Sequence, residues 1–507
     1  MKKLFSILLS LMMLATIPCP GITEAPVEIT ILLEGSTVTR DEDVLALLNP
    51  YLAEKIGVTV KPVWGTWSNF GELAVNAING GSQYDILFTC SWTANEYSSY
   101  ARKGAYVRLD DPEDNLLEKY GQEARAAIPD ILWEGARVAG LDGEGIYAVP
   151  GFKDYAQMNT WDVNVTLLKK YGYTLEDVKN AGFYGWGEIF AKVKAGEEAE
   201  TGKPFYPFIF EASVAERNVN LTPAVSGDGN SVLSYYMNPE DCSQPGPNGV
   251  TLVCKYMTPE FERYARQMRA YYLAGYVDPS IAISEQATDA WRGAQNSGRY
   301  LISTEVTTYG YEATTSAARG IEVAYLMSTD APYIDNTSLQ GAMMAISANS
   351  EHPEEAMKFL NLLNTDPYVM TLMNYGIENV HYTLNENGEA VFNPDARAVY
   401  APWTNGLGNI NLLPPQEGQG ADFRERFAAF YARSKKTPLY GFSFDKSGLA
   451  TEFSAIVNIK DQYARSLFTG AVDVDTALPE LKKRLTDAGI DRIVGEANRQ
   501  LTEFLAR

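Results

Sequence analysis

The opening quarter of the chain alternates between two hydrophobic periods. Ile29 to Leu33 is a short apolar run ending in Glu34-Gly35-Ser36, the pattern of a buried strand that enters a tight loop. Between Asp43 and Ile56 the apolar residues Val44, Leu47, Leu48, Tyr51 and Leu52 recur at helical spacing, and Gly57 stops the pattern. Val58 to Val63 alternates apolar with polar residues, a second strand. Trp67 to Ile78 reads as a helix closed by Asn79-Gly80-Gly81, and Tyr84 to Thr89 as a buried strand. This β-α-β-α-β order predicts an α/β layer architecture around a largely parallel sheet. Ligands of such sheets sit beyond the carboxyl ends of the strands. The loops that begin at Glu34, Trp64 and Cys90 are therefore the first places to look for chemistry.

Further along, Gly145 to Pro150 reads as a strand stopped by proline. Helical patterns follow at Val163–Tyr171, Trp186–Lys194 and Pro259–Ala274. Arg299–Thr304 and Ile321–Met327 read as strands, and Glu354–Leu363 as an amphipathic helix opened by Pro353. The tail from Thr476 to Leu505 is helical in pattern. There is no internal repeat and no low-complexity tract.

Composition narrows the possibilities. A length of 507 residues exceeds what one core sustains and predicts more than one domain. Lys and Arg number 42 against 64 Asp and Glu, a net charge of -22, which argues against a nucleic-acid partner and against a polybasic grip on lipid. His352 and His381 are the only histidines, so a His-rich zinc site cannot be built and histidine-based catalysis has few candidates. No motif for a metal or other cofactor is present, and none is expected. Lys2 and Lys3, the apolar run Leu4–Ile17, and then Pro18-Cys19-Pro20-Gly21 describe a secretory signal over residues 1–25. The mature chain is expected outside the membrane, free or held at the cell surface. Cys19 stands where a lipid-bearing cysteine would stand, although Ile17 and Pro18 replace the small residues that signal prefers. Lipidation there and cleavage after Gly21 or Ala25 both stay open. Cys242 and Cys254 flank a Pro- and Gly-rich turn, and in an exported chain they are expected to form a structural disulfide. Cys90 is read as a buried thiol.

Several blocks resemble one family when taken in order. They are Tyr84–Phe88, Tyr100–Asp110, Gly145–Pro150, Tyr325–Met327, Gly341–Ser350 and Pro353–Leu360. Over about residues 27–400 the chain resembles the extracellular solute-binding proteins of ABC importers, in the carbohydrate-binding, maltose-binding-protein-like group. Beyond Ala401, the block Trp403–Asn409 resembles the extra C-terminal region of the lipoprotein-like branch. The resemblance implies a type II, two-lobed α/β fold with a ligand cleft between lobes joined by hinge strands. It divides the chain into lobe 1 at 26–149, lobe 2 at 150–322, a return to lobe 1 at 323–375, and completion of lobe 2 with a C-terminal helical region at 376–507. It also implies a non-enzymatic, monomeric receptor that hands a carbohydrate to a membrane permease.

A sugar offers apolar C–H faces and a rim of hydroxyls, so its site needs aromatic rings beside carboxylates, amides and hydroxyls. With an abundance of aromatic residues (12% of the chain), the candidates are Glu34 and Ser36 in the first loop, Trp64 and Trp67 in the second, and Ser91 and Trp92 in the third. Asp154 and Tyr155 follow the hinge proline, Glu305 and Tyr309 follow a later strand, and Trp403 lies in a Gly/Asn-rich loop where it either stacks on ligand or belongs to the core. Trp133, Trp186, Trp291 and His381 are assigned to structure, and His352 to the solvent side of a helix start. Two other readings stay open. One is a secreted glycoside-cleaving enzyme, which needs a carboxylate pair about 5–10 Å apart. The other is a receptor for peptides.

Overall fold

The computed structural model describes residues 25–506 apart from 36, 82–83, 221, 224, 229–231, 281–286 and 307. The secretory signal, Cys19 and Ser36 lie outside the described residues.

The first lobe is built on a five-stranded sheet in the order Val58–Trp64, Val27–Leu33, Ile86–Thr89, Met343–Ile346, Val149–Pro150. The first three strands run parallel, with Leu33 beside Trp64 and Leu32 beside Leu87, so their carboxyl ends share one edge. Met343–Ile346 runs the other way and begins opposite Thr89, which delivers the Gly341 loop to that same edge. The helix Glu42–Ile56 buries Val44, Leu48 and Leu52, one side of its surface. Gly57 ends it in the left-handed conformation, at φ 69°. The expected strand over Gly145–Pro150 is in fact two short ones. Gly143–Ile146 pairs with Arg137–Gly140 as a hairpin, and Val149–Pro150 joins the sheet.

The second lobe centres on a four-stranded sheet in the order Val323–Met327, Asn159–Asn164, Ile302–Val306, Phe208–Ile209. A dense aromatic core packs on it, with Trp161, Phe183, Trp186 and Phe208 within 6.2 Å of one another by ring centroid. The helices Ala450–Thr469, Val474–Asp487 and Ile490–Leu505 close this lobe through Ile456, Leu467, Leu481 and Ile493. Lys255 and Glu216 form an ion pair of 2.9 Å inside it, both side chains nearly inaccessible. Such a pair is costly to break from one side only.

The boundaries between the lobes differ from those expected. Val323–Met327 belongs to the second sheet, while Tyr375, Tyr382, Tyr400 and Tyr431 pack in the first core. Residues 376–431 thus complete lobe 1, and the return to lobe 2 comes near Leu439. Aromatic residues, not the sheet, hold this segment: Tyr375 meets Phe392 edge-on at 4.8 Å. Among the described residues the chain crosses between lobes around 150–158, 333–335 and 432–438. These crossings lie side by side, with Gln157 bridged to Tyr333, Tyr333 paired with Lys435, and Ile334 with Lys436.

The expected disulfide is absent. Cys242 and Cys254 are both free and buried. The turn between them is not one hairpin: Met237 bridges Pro245, which puts Cys242 near a tip, whereas Cys254 pairs with Leu233 on a separate ladder. The Cys242 thiol instead faces the Ala331 carbonyl at 3.8 Å. Burial pushes both thiols up to about 12. No helix among the described residues is long and apolar enough to cross a membrane.

Candidate ligand-binding cleft

A cavity of about 490 Å³ opens between the lobes, with the crossing segment as its floor. Trp67, Trp92 and Trp403 line one side. They stand on the shared strand edge of lobe 1: Trp67 follows Val58–Trp64, Trp92 follows Ile86–Thr89, and Trp403 comes from the late segment of that lobe. The Trp67 and Trp92 rings are stacked at 6.1 Å, and Trp403 meets them edge-on at 4.9 and 5.8 Å, with Phe88 beneath. Trp92 is fixed by its Nε1–H, which donates to the Gly341 carbonyl at 3.1 Å. Gly35 admits Trp67: a Cβ on that glycine would lie 2.5 Å from the indole, and its φ is +75°. Despite these contacts Trp67 is 57% exposed and Trp92 46% exposed. Flat apolar area left open to solvent in a concave site calls for an occupant.

The floor carries Lys153, Asp154, Gln157, Ser338 and Gly341. Asp154 is buried, and its Oδ1 accepts from Lys153 Nζ at 2.8 Å while Oδ2 accepts from Thr308 Oγ1 at 2.9 Å. It thereby links the first crossing to lobe 2. The far side carries Glu211, Val214, Arg217, Trp291 and Arg292. Arg292 lies over the Trp291 ring at 4.1 Å and pairs with Glu305 at 3.2 Å. Behind it, Arg319 bridges Glu305 at 3.7 Å and Asp162 at 2.5 Å, and Tyr300 donates to Asp162 at 2.8 Å. Burial opposes the charge on Arg319, but its ion pair and hydrogen bond with Asp162, together with Tyr300 and Glu305, raise its pKa, whereas burial raises that of Asp162 against the arginine's pull. Two buried polar atoms of the cavity lining have no protein partner: the donor Arg217 Nε in lobe 2 and the acceptor Asn405 Oδ1 in lobe 1.

Of the residues singled out from the sequence, Trp67, Trp92, Asp154 and Trp403 meet at this cavity. The other described candidates stand off it. Trp64 ends its strand with Nε1–H donating to Asp41 at 2.8 Å and the ring edge-on to Tyr400. Ser91 supports the wall from behind, donating to the Thr337 carbonyl at 2.9 Å. Glu34 is buried next to Gly35, and desolvation pushes its pKa up to about 8. Tyr155 faces the opposite side of the crossing, 5.4 Å from Tyr431. Glu305 anchors Arg292 one layer back, and Tyr309 stacks on Phe430 at 4.4 Å. Trp133 and Trp186 are core residues, and His381 is buried with Nδ1 accepting from the Ile377 amide at 2.9 Å. Trp291, assigned to structure, is buried yet borders the cavity. The pattern gave no sign of Arg217, Arg292, Gln157 or Asn405, since ordinary polar residues on helices and loops carry no mark of the face they occupy. Among the described residues no group of three or more His, Cys, Asp or Glu could hold a metal ion.

A family model described as a domain of unknown function, DUF3502, matches residues 438–506, which form the closing helices of lobe 2. The chain is 26% identical over 474 residues to a carbohydrate ABC transporter substrate-binding protein of Streptococcus pneumoniae serotype 4, covering 92% of this chain and 88% of that protein. The crystal structure of the N-glycan transport solute-binding protein NgtS from Streptococcus pneumoniae superposes with a TM-score of 0.75 at 24% identity, covering 95% of this chain and 99% of that one. The same protein in complex with Man5GlcNAc gives a TM-score of 0.74 at 24% identity over the same shares of each chain. Over 92% of its length in sequence, and in its two-lobed fold, the chain is similar to substrate-binding proteins of ABC transporters.

Proposed function

We propose that the protein captures an oligosaccharide between its lobes and delivers it, chemically unchanged, to a membrane permease. The observation that carries this reading is the pair Trp67 and Trp92, two indoles roughly half exposed in a concave site. Such rings suit the C–H face of a pyranose, since a flat indole offers a large apolar surface for it to lie on. Arg217 Nε and Asn405 Oδ1 offer one donor and one acceptor from opposite lobes. A hydroxyl is both donor and acceptor, so a hydroxyl-rich guest can satisfy both as the lobes close. The related structures that carry Man5GlcNAc or Man1GlcNAc make mannose-containing N-glycan fragments the first ligands to test.

The chain acts as an exported monomer and as a receptor, not an enzyme. Asp154 is committed to Lys153 and Thr308, and Glu305 to Arg292 and Arg319, so these two acids are structural partners and poor candidates for glycosidic proton transfer. The test is a thermal-shift screen of glycans that includes Man5GlcNAc. A ligand at 100-fold excess over its Kd stabilises the native state by about 2.7 kcal/mol. Recovery of the intact glycan after prolonged incubation is expected. Catalytic cleavage, or thermal shifts given by peptides and by no glycan, would reject the reading.

A further inference from the structure

A second cavity, of about 510 Å³, lies behind the first crossing. The segment 152–158 separates it from the cleft: Asp154, Ala156 and Gln157 line the cleft, whereas Phe152 and Tyr155 line the second cavity. The remaining crossings contribute Ile334 and Ser434, and the helix Phe423–Tyr431 contributes Arg424, Phe427 and Tyr431. Four rings, those of Phe152, Tyr155, Phe427 and Tyr431, therefore surround space that every crossing of the described chain touches.

The polar groups of this cavity include several donors. Arg424 Nη2 donates to the carbonyls of Ile410 at 2.7 Å and Leu413 at 2.5 Å, and Nη1 donates to Asn411 Oδ1 at 3.4 Å. Among the described residues no carboxylate pairs with it, and burial lowers its pKa. Asn411 Nδ2 and Ser434 Oγ are buried without a protein partner. Among the described residues no acidic side chain lines the cavity. A guanidinium without a counter-charge, an amide N–H and a hydroxyl are all donors to an anion. In a protein of net charge -22, a cationic aromatic cavity needs a specific occupant more than a surface arginine would.

We propose that this cavity is a second binding site, that it takes a small carboxylate carried on a flat or ring-shaped apolar body, and that its occupancy is coupled to the movement of the lobes. The carboxylate faces Arg424 and Asn411, and the ring lies among the four aromatic side chains. Coupling follows because lobe closure bends the crossings that form the walls, so a guest that fits one arrangement shifts the balance between open and closed. The coupling rests on the receptor reading above; the binding site does not.

Benzoate is a suitable probe, titrated by calorimetry against the full-length mature chain. Saturable one-to-one binding is expected, with benzyl alcohol, its uncharged counterpart, weaker by about tenfold. Ala428→Trp places a large ring at the exposed rim of the cavity and should lower benzoate affinity by tenfold or more. Ser434→Ala, which removes one donor and little bulk, should lower it about threefold. Trp92→Ala should leave benzoate binding unchanged. Absence of saturable binding, equal affinity for benzyl alcohol, or undiminished binding by a folded Ala428→Trp would overturn the site. Small-angle scattering with and without benzoate reads the lobe movement without any sugar: an altered radius of gyration is expected, and an unaltered one at saturation would overturn the coupling. If no glycan binds while benzoate does, the receptor reading fails and this site stands.

Discussion

The two walls of the cleft are built from different chemistry. Lobe 1 contributes three indoles beside Phe88, with Asn405 among its polar lining residues. Lobe 2 contributes Glu211, Arg217 and Arg292, the last held from behind by a buried lattice of Glu305, Arg319, Asp162 and Tyr300. A stacking wall is tolerant, because every sugar ring has a C–H face and dispersion sets few angular demands. A wall of fixed charges is exacting, because each hydrogen bond must meet a particular hydroxyl at the correct angle. Under the receptor reading proposed above, the division would give capture to lobe 1 before closure and discrimination to lobe 2 on closure. The wall that is made first needs the weaker geometry.

Trp92→Ala should do the most damage. It removes a 46% exposed ring whose loss leaves the fold intact, and a central aromatic anchor is commonly worth 2 kcal/mol or more, about a 30-fold loss of affinity. Calorimetry on the best glycan checks it. Trp67→Ala should follow closely. If both variants bind like the parent, lobe 1 is not the capture wall and the comparison fails.

Arg217→Met comes next, with an expected loss of about tenfold, since it removes a donor that has no protein partner at Nε. The two walls predict a kinetic difference: Arg217→Met should mainly raise the dissociation rate, as a contact completed after closure would. A slower association with unchanged dissociation would place Arg217 in the encounter and reverse the roles. Asp154→Asn should act less on affinity, by a few-fold, and more on stability. It leaves Lys153, whose side chain is only 17% exposed, without its carboxylate, a change that costs about 1–3 kcal/mol. A melting curve and a glycan titration on the same variant separate the two effects.

The stacking wall was far more legible in the sequence than the charged one, and the reasons are physical. Strand-helix alternation over residues 27–89 fixes which loops share an edge, and a tryptophan in such a loop stands out. Trp92 and Trp67 were visible for that reason. Trp64 shows the limit: Gly65 and Thr66 alone separate it from Trp67, yet it belongs to the strand and is turned to Asp41. Asp154 and Tyr155 are adjacent but face opposite sides of the crossing, and nothing in their identities says which faces the ligand. Arg217 and Arg292 read as ordinary solvated helix residues, because charge shows exposure without showing to what. The lobe boundary near 431–439 was hidden too, since that part of lobe 1 is held by tyrosine contacts across long separations. The absent disulfide has the same origin: a Pro/Gly-rich turn fixes chain reversal but not which residues end up opposite.

The smallest expected effect on binding concerns Glu34, and it tests whether the stacking wall rests on a neutral foundation. Its side chain is buried next to Gly35, the residue that admits Trp67, and desolvation raises its pKa from 4.5 to about 8. Below pH 4.5 the carboxyl is protonated in both folded and unfolded chains, and its burial carries no ionisation penalty. Between pH 4.5 and 8 the unfolded chain ionises while the folded one resists, so stability falls as pH rises; above pH 8 the deficit is constant. The parent protein should therefore lose stability from pH 5 to pH 8 relative to Glu34→Gln, by at least the order of 1 kcal/mol, with the gap closing towards pH 4. Glycan affinity at pH 6 should differ little between the two, because the neutral acid and the amide are nearly the same size and Glu34 does not line the cavity. Parallel pH–stability profiles would mean that Glu34 is ionised in place. The capture wall would then stand on a buried charge, and the contrast between an apolar and a charged side of the cleft would weaken where it now looks strongest.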